Sequence, residues 1–187
     1  RRALAGTFLH EQLEWLGHQG FALDGQPWLA ELLRKRCAQA GREPHAETVV
    51  AWMQALTRAT LPGLQARLPD LGHWVPELEF WWPCDQLPVR EIDRLCREGL
   101  RPGVPRPALP DREIQGMVMG FADLIVEHQG RYWVLDYKSN QLGEGPEAYT
   151  PQAMQEALLS HRYELQGLLY GLALHRLLRL RLGDAYE

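Results

Sequence analysis

One stretch constrains this chain more than any other: QGMVMGFADLIVEHQGRYWVLDYKSN, residues 115–140. Its β-branched and aromatic runs predict two strands, 117–127 and 131–138, joined by a tight turn at Gln129-Gly130. If the turn is symmetric, strand partners have numbers adding to 259. Glu127 then faces Tyr132, Ile125 faces Val134, and Asp123 faces Asp136. Directly opposite side chains have Cβ atoms ~4.5–5.5 Å apart, and like charges so placed destabilise a sheet. Period-two alternation puts Lys138 on the same face as Asp136, roughly 7 Å along the strand. A divalent cation between the acids would remove the repulsion, and hard oxygen ligands suit Mg²⁺. The plainer reading has two acids at strand ends in water, with Lys138 in an ordinary ion pair. A single bulge residue would undo the register altogether.

The rest of the chain reads as support for that hairpin. Phe8, Leu9, Leu13 and Leu16 recur at helical spacing until Gly17 and Gly20. Pro27 opens a second helix, 27–40, closed by Gly41. A third covers 46–60 through Val49, Val50, Met53 and Leu56. Residues 74–83 look extended, with Glu77 and Glu79 alternating against Leu78 and Phe80. A short amphipathic helix follows over 89–99, then a proline-rich loop over 100–112. Thr150-Pro151 starts a short helix after the loop 139–149, and a long helix follows, carrying Leu165, Leu169, Leu172 and Leu178.

Of 187 residues, 45% are hydrophobic and 24% charged, which is globular composition with room for a core. No eighteen-residue apolar run predicts a membrane span, and residues 1–10 carry no signal-type stretch. Cys37, Cys84 and Cys96 are too few and scattered for a disulfide framework or a cysteine-rich metal site, a pattern suited to a reducing cytoplasm. The net charge of −4 excludes an overall basic nucleic-acid binder. Only Lys35 and Lys138 are lysines among 20 basic residues, so a lysine here is informative. No Walker-type phosphate loop is present, which argues against ATP hydrolysis by this chain.

GFADLIVEHQGRYWVLDYKSN, followed by AYTPQAM and HRYELQGLLYGLALHRLLRLRL, resembles the RecB-type nuclease domains of the PD-(D/E)xK nuclease superfamily. The likeness is dense from about Gln115 to Tyr186 and sparser in GTFLHEQLE and ELEFWWP. It implies an α/β fold of the restriction-endonuclease-like class, a mixed β-sheet core flanked by helices. It further implies one nuclease domain over 1–187, with a helical portion (1–70) bearing His10 and a sheet-and-helix core (71–187). Asp123 and Asp136 become metal ligands and catalytic carboxylates, with the backbone carbonyl of Tyr137 as a further oxygen. Lys138 becomes the catalytic lysine, and His10 a ligand reaching in from the first helix. The ELEF strand supplies an acid, Glu77 slightly ahead of Glu79. One metal or two stays open. Gln166 and Tyr170 match a QxxxY motif and, with Arg162 a turn earlier, make a polar stripe suited to a DNA backbone.

The function so implied is Mg²⁺-dependent hydrolysis of DNA phosphodiester bonds, exonucleolytic or endonucleolytic, with Mn²⁺ able to substitute. It belongs to a RecBCD-type helicase–nuclease acting in double-strand break repair and degradation of linear DNA in the cytoplasm. Partners would be DNA, the RecC and RecD subunits and the recombinase RecA, with no membrane. The family domain normally ends a longer helicase subunit and continues past the position of Glu187 with further strand and helix. The alternative is a catalytically silent nuclease fold that docks protein partners or DNA. A small phosphate-ester hydrolase is disfavoured, because no pocket motif is visible.

Overall fold

The computed structural model describes residues 2–186. In chain order the main elements are α1 (Arg2–His18), α2 (Pro27–Gln39), α3 (Ala46–Arg58), β1 (His73–Pro88), α4 (Val89–Gly99), β2 (Glu113–His128), β3 (Arg131–Leu135), α5 (Pro151–Ser160) and α6 (Tyr163–Leu182). The three strands form one sheet in the order β1-β2-β3. This is the α/β arrangement of sheet and helices that the sequence predicts.

The hairpin register is the predicted one: Ile125 pairs with Val134 and Glu127 with Tyr132, antiparallel. Its turn uses left-handed backbone at Gln129 (φ 53°) and Gly130 (φ 73°), the pair of positive φ values that a two-residue turn matched to strand twist requires. The Gly130 N–H donates to the Glu127 carboxylate at 3.0 Å, which closes the turn.

Two compact units make up the chain. The first comprises residues 1–78 and 123–138, and the second residues 79–122 and 139–187. In the first unit α2 and α3 run beside each other, tied by Arg34 to Glu47 and by Arg58 to Asp24, each at 2.6 Å. Phe8, Leu13 and Leu16 of α1, Leu29 and Leu33 of α2, and Val50 and Met53 of α3 share one core with Leu124 and Val126 of β2. Because Leu124 and Val126 face that core, alternation turns Asp123 to the other side of β2.

In the second unit Phe80 of β1 stacks on Trp82 (ring centroids 4.9 Å apart) and meets Tyr170 of α6 edge-on at 5.7 Å. Phe80 also covers Gly120. A Cβ at that glycine would lie 2.3 Å from the Phe80 ring, so only glycine fits under it. Adjacent Trp81 and Trp82 point oppositely, as the strand demands: Trp82 is buried and Trp81 is exposed. The same unit holds a buried ionic cluster that composition does not announce. The Arg106 side chain is wholly buried and donates to the carbonyls of Leu100 (2.7 Å) and Arg101 (2.8 Å) and to Glu164 (3.4 Å). Arg162 pairs with Glu164 (2.6 Å) and Asp93 (2.8 Å) and donates to the Pro107 carbonyl (2.7 Å). The proline-rich loop, α4 and the start of α6 are thereby joined.

Three boundaries differ from the sequence reading. β1 runs on to Pro88 and β2 begins at Glu113, so both strands are longer than the hydrophobic alternation suggests. β3 stops at Leu135 instead of reaching residue 138. The Asp123 carboxylate accepts the Tyr137 N–H at 2.6 Å, so a side chain occupies a backbone donor just past the last ladder pair, Leu124 with Leu135.

Candidate metal and catalytic centre

Four side chains of the first unit come together where the hairpin ladder ends. Asp123 lies within β2, one residue past the last ladder pair Leu124 with Leu135, and Asp136 lies one residue beyond β3. Their carboxylates lie close enough for each to shift the other's ionisation, as expected for residues whose numbers add to 259. Asp136 also pairs with the Lys138 ammonium. From α1, the His10 Nδ1 lies 3.5 Å from Asp123 Oδ1, and its ring meets the edge of the Tyr137 ring at 6.0 Å. His10 is fixed there because Phe8, Leu13 and Leu16 lock the neighbouring face of α1 into the core.

The electrostatics follow from two acids half-buried side by side. Burial and the neighbouring Asp123 charge push the Asp136 carboxyl up, against the pull of Lys138. Asp123 is also raised by burial, but His10 and the Tyr137 N–H outweigh that and hold it below the usual carboxylate range. The hydrogen bond to Asp123 raises His10. Two carboxylates in contact cannot both ionise cheaply, so the pair without a cation keeps a proton or an ammonium close.

Among the described residues no group of three or more His, Cys, Asp or Glu side chains stands ready-arranged around one metal position. Asp136 is turned to Lys138, and Asp123 to His10 and the Tyr137 N–H. The donor set itself suits a hard divalent cation: two carboxylates and an imidazole, with mutual repulsion that a cation relieves.

Glu77 is exposed, belongs to the same unit, and sits in left-handed backbone (φ 48°) within β1. Glu79 belongs to the second unit and accepts from the Trp81 indole N–H at 2.7 Å. Gln166 and Tyr170 lie four residues apart on α6 of the second unit. Arg162 departs from its expected place. It precedes α6 in left-handed backbone (φ 57°), and its buried guanidinium is taken by Glu164, Asp93 and the Pro107 carbonyl. It is an interior cation, because the Tyr163–Leu182 helix starts one residue too late to place it on the QxxxY stripe. The Tyr137 N–H bond to Asp123 went unforeseen, and no side-chain pattern signals a backbone donor.

With this geometry the fold and site define a class: the chain belongs to the PD-(D/E)XK nuclease superfamily, whose match runs over residues 1–186. Among individual proteins it is similar to the RecBCD enzyme subunit RecB of Escherichia coli K12, 39% identical over 98% of this chain and 15% of that protein. The RecB subunit of Haemophilus influenzae is 43% identical over 73% of the chain and 12% of its own length. That of Mycobacterium tuberculosis H37Rv is 42% identical over 41% of the chain. The chain thus spans only a small part, about 15% or less, of the curated relatives it matches. No helix among the described residues is long and apolar enough to cross a membrane.

Proposed function

We propose that this chain is the DNA-cleaving domain of a RecBCD-type helicase–nuclease, a single nuclease domain hydrolysing phosphodiester bonds in double-strand break repair and degradation of linear DNA. The observation that carries the reading is the meeting of His10, Asp123, Asp136 and Lys138 at the end of one hairpin. In this reading RecC and RecD are the partner subunits, RecA is the recombinase and the cytoplasm is the compartment; the similarity to RecB subunits of RecBCD enzymes supports the RecBCD setting.

Asp123, Asp136, His10 and the Tyr137 carbonyl would hold Mg²⁺, or Mn²⁺ in its place. When bound, the ion supplies a more acidic water and neutralises charge on the phosphate. The protein's own part is orientation and charge. Lys138 leaves Asp136 to face the reacting phosphate, where a compact ammonium stabilises the negative charge that develops. Asp123 keeps the 136–138 segment against β2 through the Tyr137 N–H. Neutral His10 offers a nitrogen from α1. Glu77 is the β1 acid assigned to a second cation, because it belongs to the unit that holds the other ligands and Glu79 does not. Gln166 and Tyr170 are assigned to the DNA backbone, and Arg162 is not.

The test is nicking of linear DNA by this chain with and without Mg²⁺. Asp136→Ala should abolish cleavage while keeping a cooperative thermal melt. Lys138→Arg should retain fold and metal binding yet lose at least ~100-fold in rate, the scale of one preorganised transition-state contact. A parent chain that binds DNA and Mg²⁺ without cutting would favour the silent docking module instead.

A further inference from the structure

We propose that the Tyr137 ring is a positioning residue for the metal centre, acting through His10: anchored in the core of the first unit, it holds the imidazole in the orientation that offers a nitrogen to the cation. This rests on the site proposed for His10, Asp123 and Asp136. Trp133, Leu135 and Tyr137, spaced by two, all pack against the core that α1, α2 and α3 form with Leu124 and Val126. Asp136 and Lys138, of the other parity, pair with each other. The inward row therefore runs one residue further than the ladder, whose last pair is Leu124 with Leu135. Past that pair, a residue keeps its place through what its side chain and its N–H can hold. Tyr137 has both: its ring is in the core, and its N–H donates to the Asp123 carboxylate at 2.6 Å.

The ring so fixed is a wall for His10. The two centroids lie 6.0 Å apart with planes at 87°, the T-shaped arrangement in which the positive edge of one ring meets the negative face of the other. His10 needs such a wall. The outer torsion of a histidine is broad and nearly two-fold, so a helix backbone alone does not aim one nitrogen. Asp123 restrains Nδ1 only at 3.5 Å, and the Tyr137 ring limits the plane. The hydroxyl has no part in this. Burial, and after it the Asp123 charge, push the Tyr137 phenol above the ordinary tyrosine value, so it is a neutral ring and not an anionic ligand. A leucine at 137 would keep an apolar anchor and lose the wall, which is the physical reason for an aromatic residue between Asp136 and Lys138.

Mn²⁺ affinity, measured by calorimetry on the full chain, tests the role. Tyr137→Leu should melt cooperatively and bind Mn²⁺ about 10-fold more weakly, the low end of what metal sites lose with a partner that orients a ligand. Tyr137→Phe, which restores the ring, should recover the parental affinity. In a His10→Gln background Tyr137→Leu should cost nothing further, because the anchor is kept and the imidazole it acts through is gone. If Tyr137→Leu does not melt cooperatively, Tyr137→Met takes its place with the same expectations. In the metal-free parent, nuclear Overhauser contacts should join the ring protons of His10 and Tyr137, and their absence would overturn the role whatever the variants do. So would parental affinity in Tyr137→Leu, an equal loss in Tyr137→Phe, or additive losses in the double variant. His10→Gln alone separates the two ways of failing. If it binds Mn²⁺ as the parent does, His10 is no ligand and the site assignment fails. If it binds weakly while Tyr137→Leu binds normally, only the role of the ring is wrong.

Discussion

His10 shows how one contact couples protonation to both folding and cation binding. Its hydrogen bond to Asp123 raises its pKa above 6.5. A raised folded-state value means that the pair stabilises the metal-free protein fully below the unfolded value, and that this contribution is lost as pH rises through the folded value. A metal ligand must be neutral, so cation affinity should move the opposite way. As pH rises from about 6.5, thermal midpoints in chelator should fall while Mn²⁺ affinity by calorimetry should rise. His10→Gln should flatten the dependence of the midpoint over that range. Equal slopes in parent and variant would place the titration elsewhere. Asp123, Asp136 and Lys138 were legible as a group because a tight turn and period-two alternation fix which residues meet. The bond from the Tyr137 N–H to Asp123 was not, because every residue but proline carries that donor and only folded geometry selects one.

At the scale of elements, periodicity and punctuation located α2, α3 and α4 closely, whereas β1 and β2 run beyond their sequence bounds. Thr150 caps α5 as its sequence suggests, its hydroxyl accepting from the Ala153 N–H at 3.1 Å. Where local rules failed, a long-range partner had intervened. Arg162 looked like the first stripe residue of α6, yet Asp93 and Glu164 draw it inward. Glu164 itself is buried, with a side chain 5% exposed, and it answers two guanidiniums. Glu164→Ala should therefore destabilise the protein by about 3–5 kcal/mol, the usual result of leaving buried charge uncompensated. Urea denaturation measures it, and a loss under about 1 kcal/mol would show that Arg106 and Arg162 are satisfied by carbonyls alone. Gly120 is a glycine whose reason appears only in three dimensions, beneath the Phe80 ring.

For the molecule as a whole, net charge and site chemistry pull in different directions. A charge of −4 leaves little counterion-release drive for binding DNA. The isolated chain should bind duplex DNA with a Kd weaker than about 1 µM at physiological salt, and more weakly still as salt is raised. Fluorescence anisotropy over a salt series checks this, and tight salt-insensitive binding would require a DNA-gripping surface beyond the QxxxY stripe. The amino-acid sequence by itself determined the hairpin register, the pairing of Asp123 with Asp136 and the helix order. Those follow from turn chemistry and short-range periodicity, which act between neighbours in the chain. Tertiary structure alone decided that His10 reaches Asp123 from α1, that Arg162 is interior, and that Tyr137 meets His10. Contacts between residues far apart in sequence depend on how whole faces pack, and no local pattern encodes that.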